Sequence, residues 1–414
     1  MMAKTATCVD DVAYTVSLLP EGLRFEVPGG TMISEAVRSA GIYLSLPCGG
    51  KGTCGHCMVI ANGIEVKACV TAIDRDMEVV VPAVVRLAGQ KVLTDFRLYD
   101  PKDNKMPRVQ RLTVSVAEPD LENPASDATR LCDAIAAELR SQSISDCQPA
   151  SDCRPAGDCQ QTSDCQSVNN DQPVSIRIEP DCLAQLPELL RKNNFTVSVN
   201  LFNEFNENGS LTVLSVSDSS DGPLYGVAVD IGTTTVAVAL CDLITGEVVE
   251  TVGCPNPQGA FGADIISRIV YTEENSDGTE NLQGLILGAI SASINTLARI
   301  KEIDATDIYL MTIAANTVMA HFLLGLPTYW LRREPYVPAA TTYPIVKAAE
   351  LNLPMLPVAP VLIIPGVSSY VGGDITAGVI ASKIGQGDVE MLVDVGTNGE
   401  IVLAGEGFMV ACSS

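Results

Sequence analysis

The sequence predicts an α/β protein of several domains, on three observations. The first 86 residues alternate short strand patterns with one short helix around a loop dense in cysteine and glycine. A polar, low-complexity stretch follows in the middle of the chain. From Gly226 onward the sequence turns strongly apolar, with strand patterns leading into one long amphipathic helix. At 414 residues the chain is long enough for two to four hydrophobic cores. Hydrophobic residues supply 47% and charged residues 18%, so most of it should pack as globular protein.

In the first unit, Tyr14–Leu19 and Leu23–Val27 alternate like a hairpin around Pro20–Gly22. Thr31 is the expected cap of a helix over Met32–Ala40, which Gly41 ends. After the glycine loop, strands Met58–Ala61 and Glu65–Cys69 flank Asn62–Gly63, a typical hairpin turn, and Met77–Val81 adds another. These elements define a domain over 1–86, and residues 87–107, polar with Pro101 and Pro107, read as a linker. A second domain over 108–221 starts with a strand at Arg111–Ala117 and a helix at Asp127–Arg140. It resumes as helix, strand and strand from Asp181 to Val216.

Between its halves, over 141–172, lies a period-six repeat: SDCQPA, SDCRPA, GDCQQT, SDCQSV. Its thiols, Cys147, Cys153, Cys159 and Cys165, invite a metal site. The segment has almost no apolar residue to fix a geometry and lacks the C-x2-C knuckle of zinc sites, so an expanded disordered insertion is the favoured reading.

The third region, 222–414, opens with strands Gly226–Ile231, Val236–Cys241 and Val248–Val252, with turns at Gly232–Thr235 and Leu243–Gly246. A helix over about Glu280–Lys301 carries Leu282, Leu285, Ile286, Ile290, Ile294 and Leu297 on one stripe. Strand Ile308–Ile313, helix Thr317–Leu324, a Pro-rich loop, strand Val361–Ile364 and a helix beginning near Ile375 follow. Phe408–Cys412 is the last strand.

The charge balance restricts partners. Fifty acidic against 26 basic residues give −24, which argues against nucleic acid or an anionic membrane, since both need clustered Lys and Arg. Residues 1–20 show no basic start leading into an apolar run, and the apolar stretch Leu356–Val367 is broken by Pro357, Pro360 and Pro365. The expected compartment is cytoplasmic. There, 14 cysteines point to metal ligands, catalytic groups or buried thiols rather than disulfides. With only His56 and His321 available, a metal site must rest on thiolates or carboxylates.

The loop PCGGKGTCGHC (47–57) gives the spacing Cys48-x5-Cys54-x2-Cys57, with Cys69 further on. Zinc sites usually have two knuckles, and this loop has one flanked by single thiols. A 2Fe–2S cluster suits it better: each iron takes two thiolates, a loop wraps the cluster, and the fourth ligand arrives from a neighbouring strand. Gly49, Gly50, Gly52 and Gly55 let the backbone curl until its N–H groups face the sulfurs. Cys48, Cys54, Cys57 and Cys69 are the candidate ligands; His56 reads as an exposed neighbour, and zinc or bare thiols are the alternatives.

A second signal occurs twice. VAVDIGTTTVAVAL carries Asp230, Gly232, Thr233 and Thr234; LVDVGTNGEIVL carries Asp394, Gly396 and Thr397. Each lies in a tight turn between apolar strands, so backbone N–H groups and Thr hydroxyls would meet phosphate oxygens while the Asp holds Mg²⁺. One such turn is commonplace and its threonines are often plain strand-end residues; two copies suggest half-domains facing each other across a nucleotide cleft.

The two turns resemble those of the actin/sugar kinase/Hsp70-like ATPase fold, which is ribonuclease H-like. The combination with the glycine loop resembles the reductive activators of corrinoid proteins, as do the segments PQGAFGADIISRI (257–269), AANTVMAHFLLG (314–325), PGVSSYVGGDITAG (365–378) and DVGTNGEIVL (394–403). The resemblance covers nearly the whole chain except the cysteine repeat. It implies an N-terminal β-grasp ferredoxin-type 2Fe–2S domain, a small α/β middle domain and an actin-like ATPase domain. It implies Mg-ATP as second cofactor and single-electron reduction of a corrinoid protein of a methyltransferase system from Co(II) to Co(I), as in anaerobic metabolism. An upstream donor would reload the cluster, and a homodimer is one assembly it allows. On the same resemblance Gly372, Gly373 and Asp374 close on nucleotide or metal; capping the helix near Ile375 is the alternative.

The sequence stops shortly after Asp394, so the expectation is an ATPase domain whose second lobe is only begun, and ATP hydrolysis by this chain is left open. The competing reading is a 2Fe–2S electron-transfer module with a non-hydrolysing nucleotide domain. A third makes the chain an adaptor for a corrinoid protein. No catalytic residue is assigned from sequence, and Asn316 and His321 lie near the expected cleft with no signal of a role.

Overall fold

The computed structural model describes residues 13–20, 22–42, 44, 46, 50–82, 108–122, 124–145, 175–204, 210–218, 220–385, 387–396 and 398–413. In the first unit, β1 (Ala13–Leu19) and β2 (Leu23–Pro28) form the expected hairpin, and α1 (Ile33–Ser39) follows. Strands β3 (Met58–Ala61), β4 (Ile64–Lys67) and β5 (Met77–Val80) complete a sheet in the order β2-β1-β5-β3-β4. Because β1 and β5 run parallel inside an otherwise antiparallel sheet, this is a β-grasp. Ile33, Ala36 and Val37 of α1 pack onto Val16, Leu18, Val59 and Val79. Asn62 and Gly63 both take positive φ, +49° and +81°, as a two-residue hairpin loop of type I′ requires.

Two local expectations are corrected. Thr31 does not cap α1: its hydroxyl donates back to the Pro28 carbonyl, Met32 occupies the cap position, and the Glu35 carboxylate accepts from the Met32 N–H. Cys69 lies outside a strand, in the turn after β4, because Val70 N–H already closes that turn on the Lys67 carbonyl.

The second unit contains β6 (Val109–Ser115), α2 (Asp127–Ser145), β7 (Ile176–Ile178), α3 (Pro180–Lys192), β8 (Thr196–Asn203) and β9 (Leu211–Ser217), with sheet order β6-β8-β9-β7. Pro180 opens α3 at a position where its missing N–H costs nothing. Leu131 and Ile135 of α2 and Leu186 and Leu190 of α3 bury against Val199, Leu201 and Val213. The three-residue β7 has no counterpart in the sequence reading. The repeat cysteines Cys147, Cys153, Cys159 and Cys165 and the expected linker 87–107 lie outside the described residues.

The third region holds the largest core. Strands β10 (Tyr225–Ile231), β11 (Thr235–Asp242) and β12 (Val248–Pro255) form a meander. A short 3-10 turn (Pro257–Ala260) then leads into α4 (Ile265–Glu274), and α5 (Gly278–Lys301) follows. Next come β13 (Ile308–Ala315), α6 (Thr317–Leu323), β14 (Val346–Lys347), β15 (Pro360–Ile363) and α7 (Gly373–Ser382). The sheet order is β12-β11-β10-β13-β15-β14, with β10, β13 and β15 parallel. The stripe of α5 behaves as its periodicity dictates: Leu282, Ile286, Ile290, Ile294 and Leu297 are fully buried. Beyond α7, strands β16 (Glu390–Val395), β17 (Gly399–Gly405) and β18 (Phe408–Ser413) make a separate antiparallel sheet. Met391, Val395, Met409 and Val410 on it are exposed.

The units are joined by side chains. Val109, Phe202 and Leu214 of the second unit share a core with Leu224 and Leu310 of the third. Lys347 pairs with the buried Glu179 at 2.7 Å. Ala260, from the third region, is built into the core of the β-grasp unit, with Phe261 packed beside it.

Candidate functional site

The cysteine loop is shaped by its glycines. Gly50, Gly52 and Gly55 take φ of +82°, +72° and +70°, a region that side-chain-bearing residues avoid. A Cβ on Gly52 would lie 2.8 Å from Cγ1 of Val70, so the loop runs hard against the turn that carries Cys69. Lys67 Nζ donates to the Gly52 carbonyl at 2.7 Å, and Ala68 N–H to that of Cys57 at 2.9 Å. These bonds stitch loop to turn and bring the buried thiols of Cys57 and Cys69 to 3.3 Å. That is far beyond the ~2.05 Å of a disulfide. It is close enough for two thiolates on one metal ion with bonds of about 2.3 Å.

Cys54 is free and half-buried, and Cys48 lies outside the described residues. Among the described residues, no three His, Cys, Asp or Glu side chains stand close enough together to hold a metal ion, so Cys54 is not gathered with the Cys57–Cys69 pair. A donor pair made of thiols alone, served by glycines that free the loop backbone, fits an iron–sulfur group. His56 is exposed, as expected of a neighbour.

The DIGTT segment forms the turn between β10 and β11. Gly232 N–H donates to the Thr235 carbonyl at 2.9 Å, and a Cβ on Gly232 would approach that same oxygen to 3.0 Å. Asn256 Nδ2 donates to the Gly232 carbonyl at 2.8 Å, and Asn256 N–H to that of Thr234 at 2.8 Å. Thr233 is buried, and its hydroxyl accepts from Asn316 Nδ2 at 3.4 Å. The DVGTN turn between β16 and β17 closes one residue tighter, from Gly396 N–H to the Asn398 carbonyl at 3.1 Å; Thr397 lies outside the described residues.

Four acidic groups near these turns, Asp230, Asp374, Asp394 and Glu400, lie close enough to feel one another's charge. Asp230 is pushed up to about 6, first by burial and then by the charges of Asp374 and Asp394. Its carboxyl touches solvent, yet the protein walls around it make the charged form costly. Asp374 is raised by burial and by Asp394, and Glu400 by burial and by Asp374 and Asp394. The two Asp-Gly turns thus open on a single acidic cleft, which a cation would neutralise.

Asp374 reaches it through a close approach of α7. A Cβ on Gly372 would sit 2.4 Å from Asn316 Cα, and one on Gly373 2.2 Å from the Ile364 carbonyl oxygen. Asn316 caps α6, accepting from Met319 N–H at 2.9 Å. His321 is fully buried and both its ring nitrogens are engaged by backbone: Nδ1 meets the Thr317 carbonyl at 2.7 Å, and Ala339 N–H donates to Nε2 at 3.1 Å. Burial lowers its pKa, in keeping with a neutral ring.

Sequence reasoning missed Asn256, Gln258, Arg268 and Glu400. Only the segment PQGAFGADIISRI flagged Gln258 and Arg268, as a resemblance without roles; Asn256 lies just before it.

Comparison with known proteins agrees with this architecture. A family model described as "2Fe-2S iron-sulfur cluster binding domain" matches residues 16–79, and one described as "RACo middle region" matches 225–387. The corrinoid activation enzyme RamQ of Eubacterium limosum is 32% identical over 187 residues, which is 45% of this chain and 31% of RamQ. A solved structure of a reductive activator for corrinoid, iron–sulfur protein superposes with a TM-score of 0.65 at 31% identity, covering 97% of this chain. This chain spans 63% of that protein's length. No helix among the described residues is long and apolar enough to cross a membrane.

Proposed function

We propose that this chain, a RACo- and RamQ-like protein joining a 2Fe–2S domain to a RACo middle region, works in the reductive activation of a corrinoid protein. The observation that carries this is the pairing of two buried thiols, Cys57 and Cys69, in a β-grasp unit packed against the region that holds the acidic cleft. A bound 2Fe–2S group would supply single-electron chemistry, the kind needed to return a corrinoid from Co(II) to Co(I).

Cys48, Cys54, Cys57 and Cys69 would hold it, and the positive-φ glycines leave the loop N–H groups free to face its sulfurs and set its potential. Plant-type clusters lie near roughly −400 mV, and for one electron each ~59 mV of deficit is a tenfold loss in equilibrium. A step that is uphill on this scale needs a second energy source. Asp230 and Asp394 would bind Mg²⁺, while the turns at Gly232–Thr234 and Gly396–Thr397 would bind the nucleotide phosphates. Binding of the nucleotide to a closed state would then favour the productive complex. An upstream donor reloads the protein, and the setting is cytoplasmic.

The test is anaerobic reconstitution followed by a Co(II)-to-Co(I) assay on a corrinoid protein, with and without Mg-ATP. The expected result is a 2Fe–2S EPR signal in the reduced protein and a reduction that depends on Mg-ATP. A rate indifferent to Mg-ATP leaves a simple electron carrier; absence of the signal removes both redox readings.

A further inference from the structure

Arg268 is fully buried, on the face of α4 that looks at the Gly232–Thr234 turn. Its guanidinium Nη2 donates to the Thr233 carbonyl at 2.5 Å, Nε to that of Gly262 at 2.9 Å and Nη1 to Gln258 Oε1 at 3.3 Å. None of these acceptors carries a charge. Burial penalises the charge and only Asp264, at the start of the same helix, offsets it, without a direct ion pair. Residues 256–262, which Arg268 gathers, are also tied to the turn by Asn256 and to α5 by Gln258, whose Nε2 donates to the Leu282 carbonyl at 2.9 Å. A Cβ on Gly262 would sit 2.7 Å from Arg268 N, so the segment lies hard against the helix backbone.

The other side of this segment is the seat of the β-grasp unit. Ala260 belongs to its core, Phe261 packs against it, and the Arg38 guanidinium lies 5.9 Å from the Phe261 ring centroid. Lys51 of the cysteine loop pairs at 2.7 Å with Glu274, at the far end of the same α4. The seam is not close-packed. It holds a cavity of about 300 Å³ between Arg38 and Pro257, and another of about 220 Å³ bordered by Gly50, Cys69 and Phe261. Both are clefts that open to solvent, so the two units meet here without filling the space between them.

We propose that Arg268 is a positioning residue that couples the phosphate turn to the seating of the β-grasp unit, through residues 256–262. The inference rests on the nucleotide reading of the turn. Phosphate arriving at Gly232–Thr234 adds a second negative charge near Arg268, beside that of Asp264 at the start of α4. The guanidinium, already held by the Thr233 carbonyl, shifts with the turn toward the phosphate, and the segment carrying Ala260 and Phe261 follows, closing the seam beside Cys69.

The experiment is hydrogen exchange on the cluster-loaded full chain, with and without Mg-AMPPNP, alongside calorimetric nucleotide binding. Wild type, Arg268→Lys and Phe261→Ala are compared. In wild type, nucleotide is expected to slow exchange in peptides spanning Ile33–Ser39 and 257–262 by about fivefold or more. Phe261→Ala still binds nucleotide but loses the response in Ile33–Ser39. Arg268→Lys, which keeps the charge without the fork, loses it in both segments. If the lysine variant misfolds, Phe261→Ala alone decides. Unchanged responses in Phe261→Ala, or nucleotide binding in wild type with no response, would overturn the coupling while leaving the nucleotide reading intact. Failure of wild type to bind nucleotide overturns both.

Discussion

Asp230 combines two demands that conflict. Its carboxyl titrates at about 6 rather than 3.8 because burial and the charges of Asp374 and Asp394 penalise ionisation. The folded state therefore holds this proton more tightly than the unfolded chain does. The associated stability is present at low pH and is lost as pH rises through about 6. Asp230→Asn removes the charge, so at pH 8 the metal-free variant is expected to melt above wild type. The difference should shrink as pH falls through about 6 and be gone below 3.8, where the side chain is neutral in both the folded and the unfolded chain. The same variant should bind Mg-nucleotide at least about tenfold more weakly, since a neutral amide is a poor Mg²⁺ ligand. Melting curves at the two pH values and a binding isotherm check both halves; an unchanged isotherm would remove Asp230 from the metal site.

Among the thiols, position separates ligand from filler. Cys69→Ser is expected to abolish the 2Fe–2S absorption and EPR signal after reconstitution. Cys182→Ser should leave both intact, because Cys182 packs in another core with its thiol pushed up to about 11 by burial and by Glu179. Retention of a normal cluster spectrum in Cys69→Ser would send the search for the fourth ligand elsewhere.

At the scale of elements, the glycines at the start of α7 decide how near Asp374 comes to the cleft. Gly373→Ala would press a Cβ to 2.2 Å from the Ile364 carbonyl oxygen, a contact with backbone that no rotamer relieves. A loss of roughly 2–4 kcal/mol is expected in denaturant unfolding, together with weakened Mg²⁺ binding as α7 backs away. Elements whose periodicity matched their burial were legible in the sequence. The β1–β2 hairpin, the Asn62–Gly63 turn and the stripe of α5 needed nothing beyond local pattern.

Elements defined by long-range contact were not legible. The three residues of β7 become a strand only because β9 pairs with them, and α4 hides its arginine on the buried face, where a helical pattern expects an apolar residue. Thr31 offered a cap by type, yet the Pro28 carbonyl competes for its hydroxyl. In the same way the two Asp-Gly turns could be found by motif. Their convergence with Asp374 and Glu400 could not, since it depends on where α7 and the β16–β18 sheet pack.

For the whole molecule, the question is whether its units act separately or together. The second and third share a core in which Phe202, 3% exposed, meets Leu224 and Leu310 across the boundary. The half-exposed ion pair of Lys347 with buried Glu179 adds geometry more than energy. Hydrophobic contact is therefore expected to make these two units unfold as one. Phe202→Ala removes the largest side chain of that shared core. A loss of about 3–5 kcal/mol would be typical if the cavity stays open.

Because the loss falls on the boundary, it should appear as a change in cooperativity and not only as a lower midpoint. Calorimetry should resolve two transitions in place of one, with the calorimetric enthalpy exceeding the van't Hoff value. The β-grasp seam, with its two cavities, lies at the opposite extreme and should open well before either transition. A single transition in Phe202→Ala, with enthalpies still equal, would mean that the polar contacts along the boundary bind the units and that the shared core is incidental.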